Sequence, residues 1–226
     1  MPSKRARAED PEEEEEEVAK RSKAQVRVKV ISGGQTGADL AGLRAARDLG
    51  LETGGFAAAG FWNEDGSQPQ LGGEFGLVET KGSYVHRTKL NVDESTCTVA
   101  FLVATRGSGT SKTVGYALTG KWSDGFQSSA QGCYCHRPVL VIHGEEMKDA
   151  EACASTLKSW LEGLYGGKLT LNVAGHRTSL AKRLGLDFDY DQRCYDIVKL
   201  ALKPEDESSL EPEHPSNVGS EVAGEG

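Results

Sequence analysis

The residues best suited to chemistry stand in four short segments rich in glycine, hydroxyls or cations. The first, Ser32-Gly33-Gly34-Gln35-Thr36-Gly37-Ala38-Asp39, follows a β-branched run and opens a helix-like pattern. Amide groups exposed at such a strand-to-helix turn, together with the helix dipole, favour an anion such as phosphate or carboxylate. Glycine there permits positive φ and lets a ligand approach the backbone. The segment approaches the dinucleotide fingerprint, but Ser32 stands in place of its first glycine. No acid closes the second predicted strand to hold a ribose hydroxyl. This argues against a nicotinamide cofactor and leaves open an ordinary tight turn.

The second segment, Arg106-Gly107-Ser108-Gly109-Thr110-Ser111-Lys112-Thr113, also lies between a strand and a helix. It ends like a Walker loop, yet Ser111 replaces the glycine before the lysine and Arg106 the glycine at the start, so ATP hydrolysis of that kind is rejected. What survives is a second set of amides and hydroxyls at a helix N-terminus, able to share one crevice with the first. The third, Tyr84 to Asn91, reads as a helix that puts Arg87 and Asn91 on one face beside Thr88 and Tyr84. Arg87 offers a guanidinium fork to phosphate, or it is an ordinary solvated face pairing with Asp93 or Glu94. In the fourth, Asn172 to Ser179, His176 has the pKa of an acid or base, although a surface histidine capping the turn is the simpler reading.

These segments need a scaffold that brings them to one edge. Five β-branched runs (Val26 to Ser32, Glu52 to Phe56, Cys97 to Val103, Val139 to His143, Leu169 to Val173) alternate with helical patterns at Ala38 to Leu49, Thr113 to Trp122, Asp149 to Tyr165 and Gln192 to Leu202. That alternation predicts an α/β protein: a single three-layer domain with a mainly parallel sheet of five to six strands. Ala57 to Ser83 reads as a long Gly-rich binding loop or lid, and Ser123 to His136 as an insertion.

The 226 residues carry a formal net charge of −8. The excess lies in two tails, residues 1–25 and 203–226, while residues 26–202 hold 19 charges of each sign. A neutral core lacks the footprint of a duplex nucleic-acid binder. Both tails have the composition of disordered segments. Uncharged runs such as Thr96 to Thr105 are far short of the roughly 20 residues that cross a bilayer, so no membrane partner is expected. Without a secretory leader, the expected location is the cytoplasm. The pairs Lys4-Arg5 and Lys20-Arg21 would serve as a two-part nuclear import signal, or are simply part of a solvated tail. The five cysteines are odd in number and irregular in spacing, which argues against a disulfide scaffold. Cys133-Tyr134-Cys135-His136 lacks the further ligands of a closed zinc site, so no metal is expected.

Taken in order, Ile31 to Asp39, Thr53-Gly54-Gly55-Phe56, Glu64-Asp65-Gly66, Arg87-Thr88-x-x-Asn91-Val92, Ser108-Gly109-Thr110 and Leu171 to Gly175 resemble the "putative molybdenum carrier" family, the circularly permuted YpsA-like branch of the SLOG superfamily. The resemblance spans the core. It implies a Rossmann-like domain with a pocket for a nucleotide-like ligand, and the family's name implies carriage of the molybdenum cofactor, a phosphorylated pterin. It assigns ligand contact to Ser32, Gly33, Gly34, Gln35, Thr36, Gly37, Asp39, Arg87, Thr88, Asn91, Gly109 and Thr110. It differs at Ser108, where the family usually has glycine, and at His176, where it usually has proline.

Two readings follow. In the first, the chain binds a small phosphorylated ligand, either a molybdenum cofactor or a nucleotide. In the second it is a SLOG-type hydrolase or transferase acting on a nucleotide, with Asp39 or Asp65 as base. Related enzymes carry an acid after their Gly-Thr turn, where this chain has Ser111-Lys112-Thr113. A homo-oligomer is expected by analogy with relatives of the fold.

Overall fold

The computed structural model describes residues 27–104, 108–122, 137–164 and 167–204. The expectations for residues 1–25 and 205–226, for Arg106 and Gly107, for the insertion Ser123 to His136 and for the Cys133 to His136 cluster within it lie outside the described residues. The elements run β1 (Arg27–Ile31), α1 (Ala38–Asp48), β2 (Glu52–Ala57), β3 (Trp62–Asn63), β4 (Gly66–Ser67), α2 (Gln70–Phe75), β5 (Leu77–Glu79), α3 (Tyr84–Asp93), β6 (Cys97–Leu102) and α4 (Gly109–Thr119). They continue with β7 (Val139–His143), α5 (Ala150–Glu162), β8 (Lys168–Gly175), α6 (Thr178–Arg183) and α7 (Tyr190–Leu202).

Six strands form one wholly parallel sheet in the order β5-β2-β1-β8-β6-β7. The strand latest in sequence, β8, therefore lies at the centre, pairing with β1 through Ile31↔Asn172 and with β6 through Phe101↔Gly175. Because every strand points the same way, the turns after β1, β6 and β8 emerge side by side at the carboxyl edge.

Helices α1, α5 and α7 pack together on one face, while α3 and α4 pack together on the other. Val30, Val99, Phe101, Leu171 and Val173 meet Leu157, Ile197 and Val198 in the main core. Burial on both sides explains the continuous apolar character of β6. Local chemistry starts the helices. Ser83, Ser108, Asp149 and Asp189 each accept a backbone N–H of the first turn of α3, α4, α5 and α7. The Ser108 cap moves the start of α4 from the expected Thr113 to Gly109, which puts Gly109 and Thr110 inside the helix.

The segment read as one irregular loop, Ala57 to Ser83, is built instead from the hairpin β3–β4, the helix α2 and the edge strand β5. Its apolar residues are sparse but converge: Leu71, Phe75 and Leu77 close over Leu43 and Ala57 in a small second core. Each piece is too short to show a period, which is why the sequence pattern misses it. Helix α6 is equally short and was also unexpected.

Tyr190 fastens the carboxyl edge. Its buried hydroxyl donates to the Phe101 carbonyl at 3.1 Å and accepts the His176 amide at 2.9 Å, tying α7 to the ends of β6 and β8. Removing it in Tyr190→Phe leaves both backbone groups unpaired, so urea unfolding should show a loss of about 2 to 4 kcal/mol. A loss near the roughly 0.5 kcal/mol of a surface change would show that the hydroxyl fastens nothing.

Candidate functional site

The turn after β1 is folded around a carboxylate of its own chain. Asp39, on the first turn of α1, is 4% exposed, and its Oδ2 accepts the Gln35 amide at 3.3 Å and Arg87 Nη1 at 3.2 Å. Burial pushes the Asp39 carboxyl above its ordinary value, and this outweighs the opposing pull of Arg87 and of the turn amides. The guanidinium lies directly on Gly33, where a Cβ would stand 1.5 Å from Nη1. Gly37 is a second obligatory glycine, with φ 78° and no room for a Cβ beside the His176 carbonyl.

The remaining turn residues are committed in other directions. Ser32 donates to the Val173 carbonyl at 2.8 Å and so holds β1 to β8. The Gly34 carbonyl accepts Asn63 Nδ2. The Gln35 side-chain carbonyl accepts the amides of Thr36 and Glu64. Asn91, 2% exposed, both donates to and accepts from the Phe56 backbone, which completes the end of β2. Thr88 donates back to the Tyr84 carbonyl.

Two cavities flank the turn. One, of about 590 Å³, opens at the carboxyl edge between α3, α4 and α6; Gln35, Asp39, Arg87, Thr88, Asn91, Gly109 and Thr110 line it. Among the described residues its charged lining is Arg87, Lys112, Arg177 and Arg183 against Asp39. The other, of about 840 Å³, lies over α1 and α7, with Thr36, Gly37 and Asp65 in its wall. There the acids Asp48, Glu64, Asp65, Asp189 and Asp191 offset Arg44, Arg47, Arg177 and Lys182. The two acids considered as a base are therefore separated, Asp39 paired in the smaller cavity and Asp65 exposed in the larger. Ser32, Gly33 and Gly34 line neither. The larger cavity is balanced in charge, whereas the smaller is strongly cationic, and charge rather than size decides which suits an anion.

His176 is not on the surface: it is 3% exposed and lines the cationic cavity. Its Nε2 accepts the Ala104 amide at 3.2 Å, and Nδ1 faces the Thr110 hydroxyl at 3.4 Å. Burial holds its pKa below the usual value.

Glu64 is a residue that sequence reasoning quoted but gave no role. Its carboxylate accepts the hydroxyls of Thr36 and Ser179 at 2.5 and 2.6 Å and the Ser179 amide at 3.0 Å, with Arg177 Nε at 3.7 Å. It thereby latches the β3–β4 hairpin onto the first turn and onto the start of α6. The signal that could have found it is the acid in Glu64-Asp65-Gly66, a tight turn amid an otherwise uncharged stretch.

A parallel sheet with helices on both faces and glycine-rich turns at its carboxyl edge defines a Rossmann-like α/β domain. Residues 30–189 match the model of the Circularly permutated YpsA SLOG family, and the chain belongs to that family. It is similar to the crystal structure of a "putative molybdenum carrier protein" from Syntrophus aciditrophicus SB, with 27% identity and a TM-score of 0.62 over 79% of this chain and 96% of that one. Among curated proteins none matches.

Burial works to raise the Glu64 pKa, but the hydrogen bonds from Ser179 and Thr36 and the charge of Arg177 prevail and hold it below its ordinary 4.5. A carboxylate depressed in this way adds stability above its unfolded pKa and loses it as the pH falls through the folded value. Glu64→Gln should therefore cost about 1 to 3 kcal/mol in urea unfolding at pH 7, and the gap to the parent should narrow as the pH is lowered below 4.5. A gap that persists in acid would show that the side chain holds the latch by shape rather than charge.

Proposed function

We propose that this chain binds a small phosphorylated, nucleotide-like ligand in the cationic cavity, and that its first candidate cargo is the phosphorylated pterin that carries molybdenum. The observation behind this reading is the charge of that cavity: among the described residues Arg87, Lys112, Arg183 and Arg177, the last shared with Glu64, stand against one carboxylate already paired with Arg87. The name of the Syntrophus protein supports the choice of cargo. Arg87 fits the role because Asp39 is its one partner among the described residues and its Nε is buried without any. The fork thus keeps donors for phosphate oxygens. Arg177, Arg183 and Lys112 bring charge from the opposite wall, and the first turn of α4 presents the positive end of a helix. Tyr84 and Trp122 give the same cavity flat apolar faces for a ring system.

Binding without bond cleavage is the reading we adopt, because Asp39 is spent on holding Arg87 and the turn, while Asp65 faces the other cavity. A reducing cytoplasmic setting agrees with the described cysteines, Cys97, Cys153 and Cys194, which are free buried thiols. Burial pushes the Cys97 thiol up to about 12.

The test is native mass spectrometry of the full chain purified from its own cells, with identification of the compound released on denaturation. A phosphorylated pterin, with or without molybdenum, is the expected result. A different nucleotide would keep the cavity and change the cargo, and a ligand with no anionic group would overturn the reading. With the released compound, Arg87→Ala should weaken binding by about 1.5 to 3 kcal/mol in calorimetry, the scale of a hydrogen bond to a charged group. That variant also leaves Asp39 buried without its counter-charge. The Arg87→Ala/Asp39→Asn pair should recover the lost thermal stability while binding stays weak.

A further inference from the structure

The polarity of the His176 and Thr110 pair is set by a backbone amide. The Ala104 N–H can only donate, and it meets Nε2 at 3.2 Å. Nε2 therefore carries the lone pair, and the proton of the neutral ring lies on Nδ1. Nδ1 in turn faces Thr110 Oγ1 at 3.4 Å. The hydroxyl thus receives a hydrogen bond from the ring, and its own proton needs an acceptor elsewhere. Among the described residues His176 is the one polar partner of that hydroxyl. Thr110 is 4% exposed, lines the cationic cavity and stands in the first turn of the 11-residue α4. A buried hydroxyl with an unspent proton costs free energy until something accepts it. The leading N–H groups of α4 and the cations of the cavity make an anionic oxygen the favoured acceptor. A charged imidazolium is opposed at this place, because its Nε2–H would point at the Ala104 N–H and its charge would be buried.

The family resemblance already sets Thr110 against the ligand; we propose that His176 is the positioning residue that fixes the Thr110 hydroxyl as a hydrogen-bond donor to an anionic, phosphate-class oxygen. The proposal rests on the anionic-ligand reading above and adds what that reading lacks, a group that distinguishes acceptor from donor. The chain of donors runs one way, from the Ala104 amide to the His176 ring, from the ring to Thr110, and from Thr110 into the cavity. Aligned bonds of this kind polarise one another.

The test uses the full chain labelled with ¹⁵N-histidine and inorganic phosphate as the probe, titrated at constant ionic strength. In long-range ¹H–¹⁵N spectra at pH 7, the resonance absent from His176→Leu should show a neutral ring protonated at Nδ1. Phosphate should shift that resonance and the Thr110 methyl. Its dissociation constant should rise about tenfold or more in Thr110→Val and stay within roughly threefold in Thr110→Ser, which keeps the donor. His176→Leu should weaken phosphate about as much as Thr110→Val, and the double variant no further, because one residue acts through the other. A ring protonated at Nε2 overturns the proposal, and this measurement needs no variant to fold beyond the one that assigns the signal. Phosphate binding that is lost in Arg87→Ala but unchanged in Thr110→Val overturns the donor role and leaves the anionic-ligand reading standing. An unperturbed spectrum throughout the titration overturns both.

Discussion

The contact between Asp39 and Arg87 is the constraint around which the site is arranged. A glycine-rich turn that exposes amides to an anion is electrostatically incomplete when nothing fills it. Here the chain supplies a carboxylate from the first turn of α1, and Arg87 arrives from α3 to share it. One pair therefore fixes the path of the turn, the rotamer of Arg87 over Gly33 and the position of α3 relative to α1. A buried ion pair of this kind is weak evidence for stability, since desolvation consumes most of the attraction. Its value here is positional: it holds a guanidinium at the mouth of the crevice with donors to spare.

The second constraint is that the two sides of the turn face different surroundings. Thr36 and Gly37 look toward α6 and α7, where Glu64 gathers hydroxyls and an amide into a latch. Gln35 and Asp39 look toward α3 and α4, where cations dominate. The same eight-residue motif thus serves as an anchor on one side and as a cavity wall on the other. The Tyr190 hydroxyl does comparable work deeper in the edge, fixing the backbone of His176 and so the direction of its ring. In the proposed reading, affinity for an anion comes from side chains brought by α3, α4 and α6 with its N-cap, more than from the free amides of one loop.

How much of this was legible beforehand varies with the range of the signal. Five of the six sheet strands could be read in the chain because β-branched runs between helical patterns survive any tertiary arrangement. The α/β class, the neutral core and the four polar segments followed from the same local chemistry, and the family resemblance of those segments agreed with them. What escaped was whatever depended on partners far apart in sequence. Strand β5 and helix α2 are recognisable only once Leu71, Phe75 and Leu77 meet Leu43. That the amide of Asn91, which lines the cavity, is held at both ends by the backbone of Phe56, 35 residues away, could not be read locally. His176 reads as a surface residue until the amide of Ala104 and the hydroxyl of Thr110 enclose it, 72 and 66 residues away.

The sequence by itself determined the longer helices and five of the six sheet strands, their parallel arrangement and the placing of polar, glycine-rich segments at the strand ends, because composition, period and glycine placement act over a few residues. Only the tertiary structure decided which of those groups remain available. Hydrogen-bond capacity is finite, and a donor or acceptor already satisfied within the fold contributes little to a ligand. Ser32, Asn91 and the carboxylate of Asp39 are spent in that way, while Arg87 and Thr110 keep donors that no described residue takes up. That division is made by distances between elements, and no local pattern encodes it.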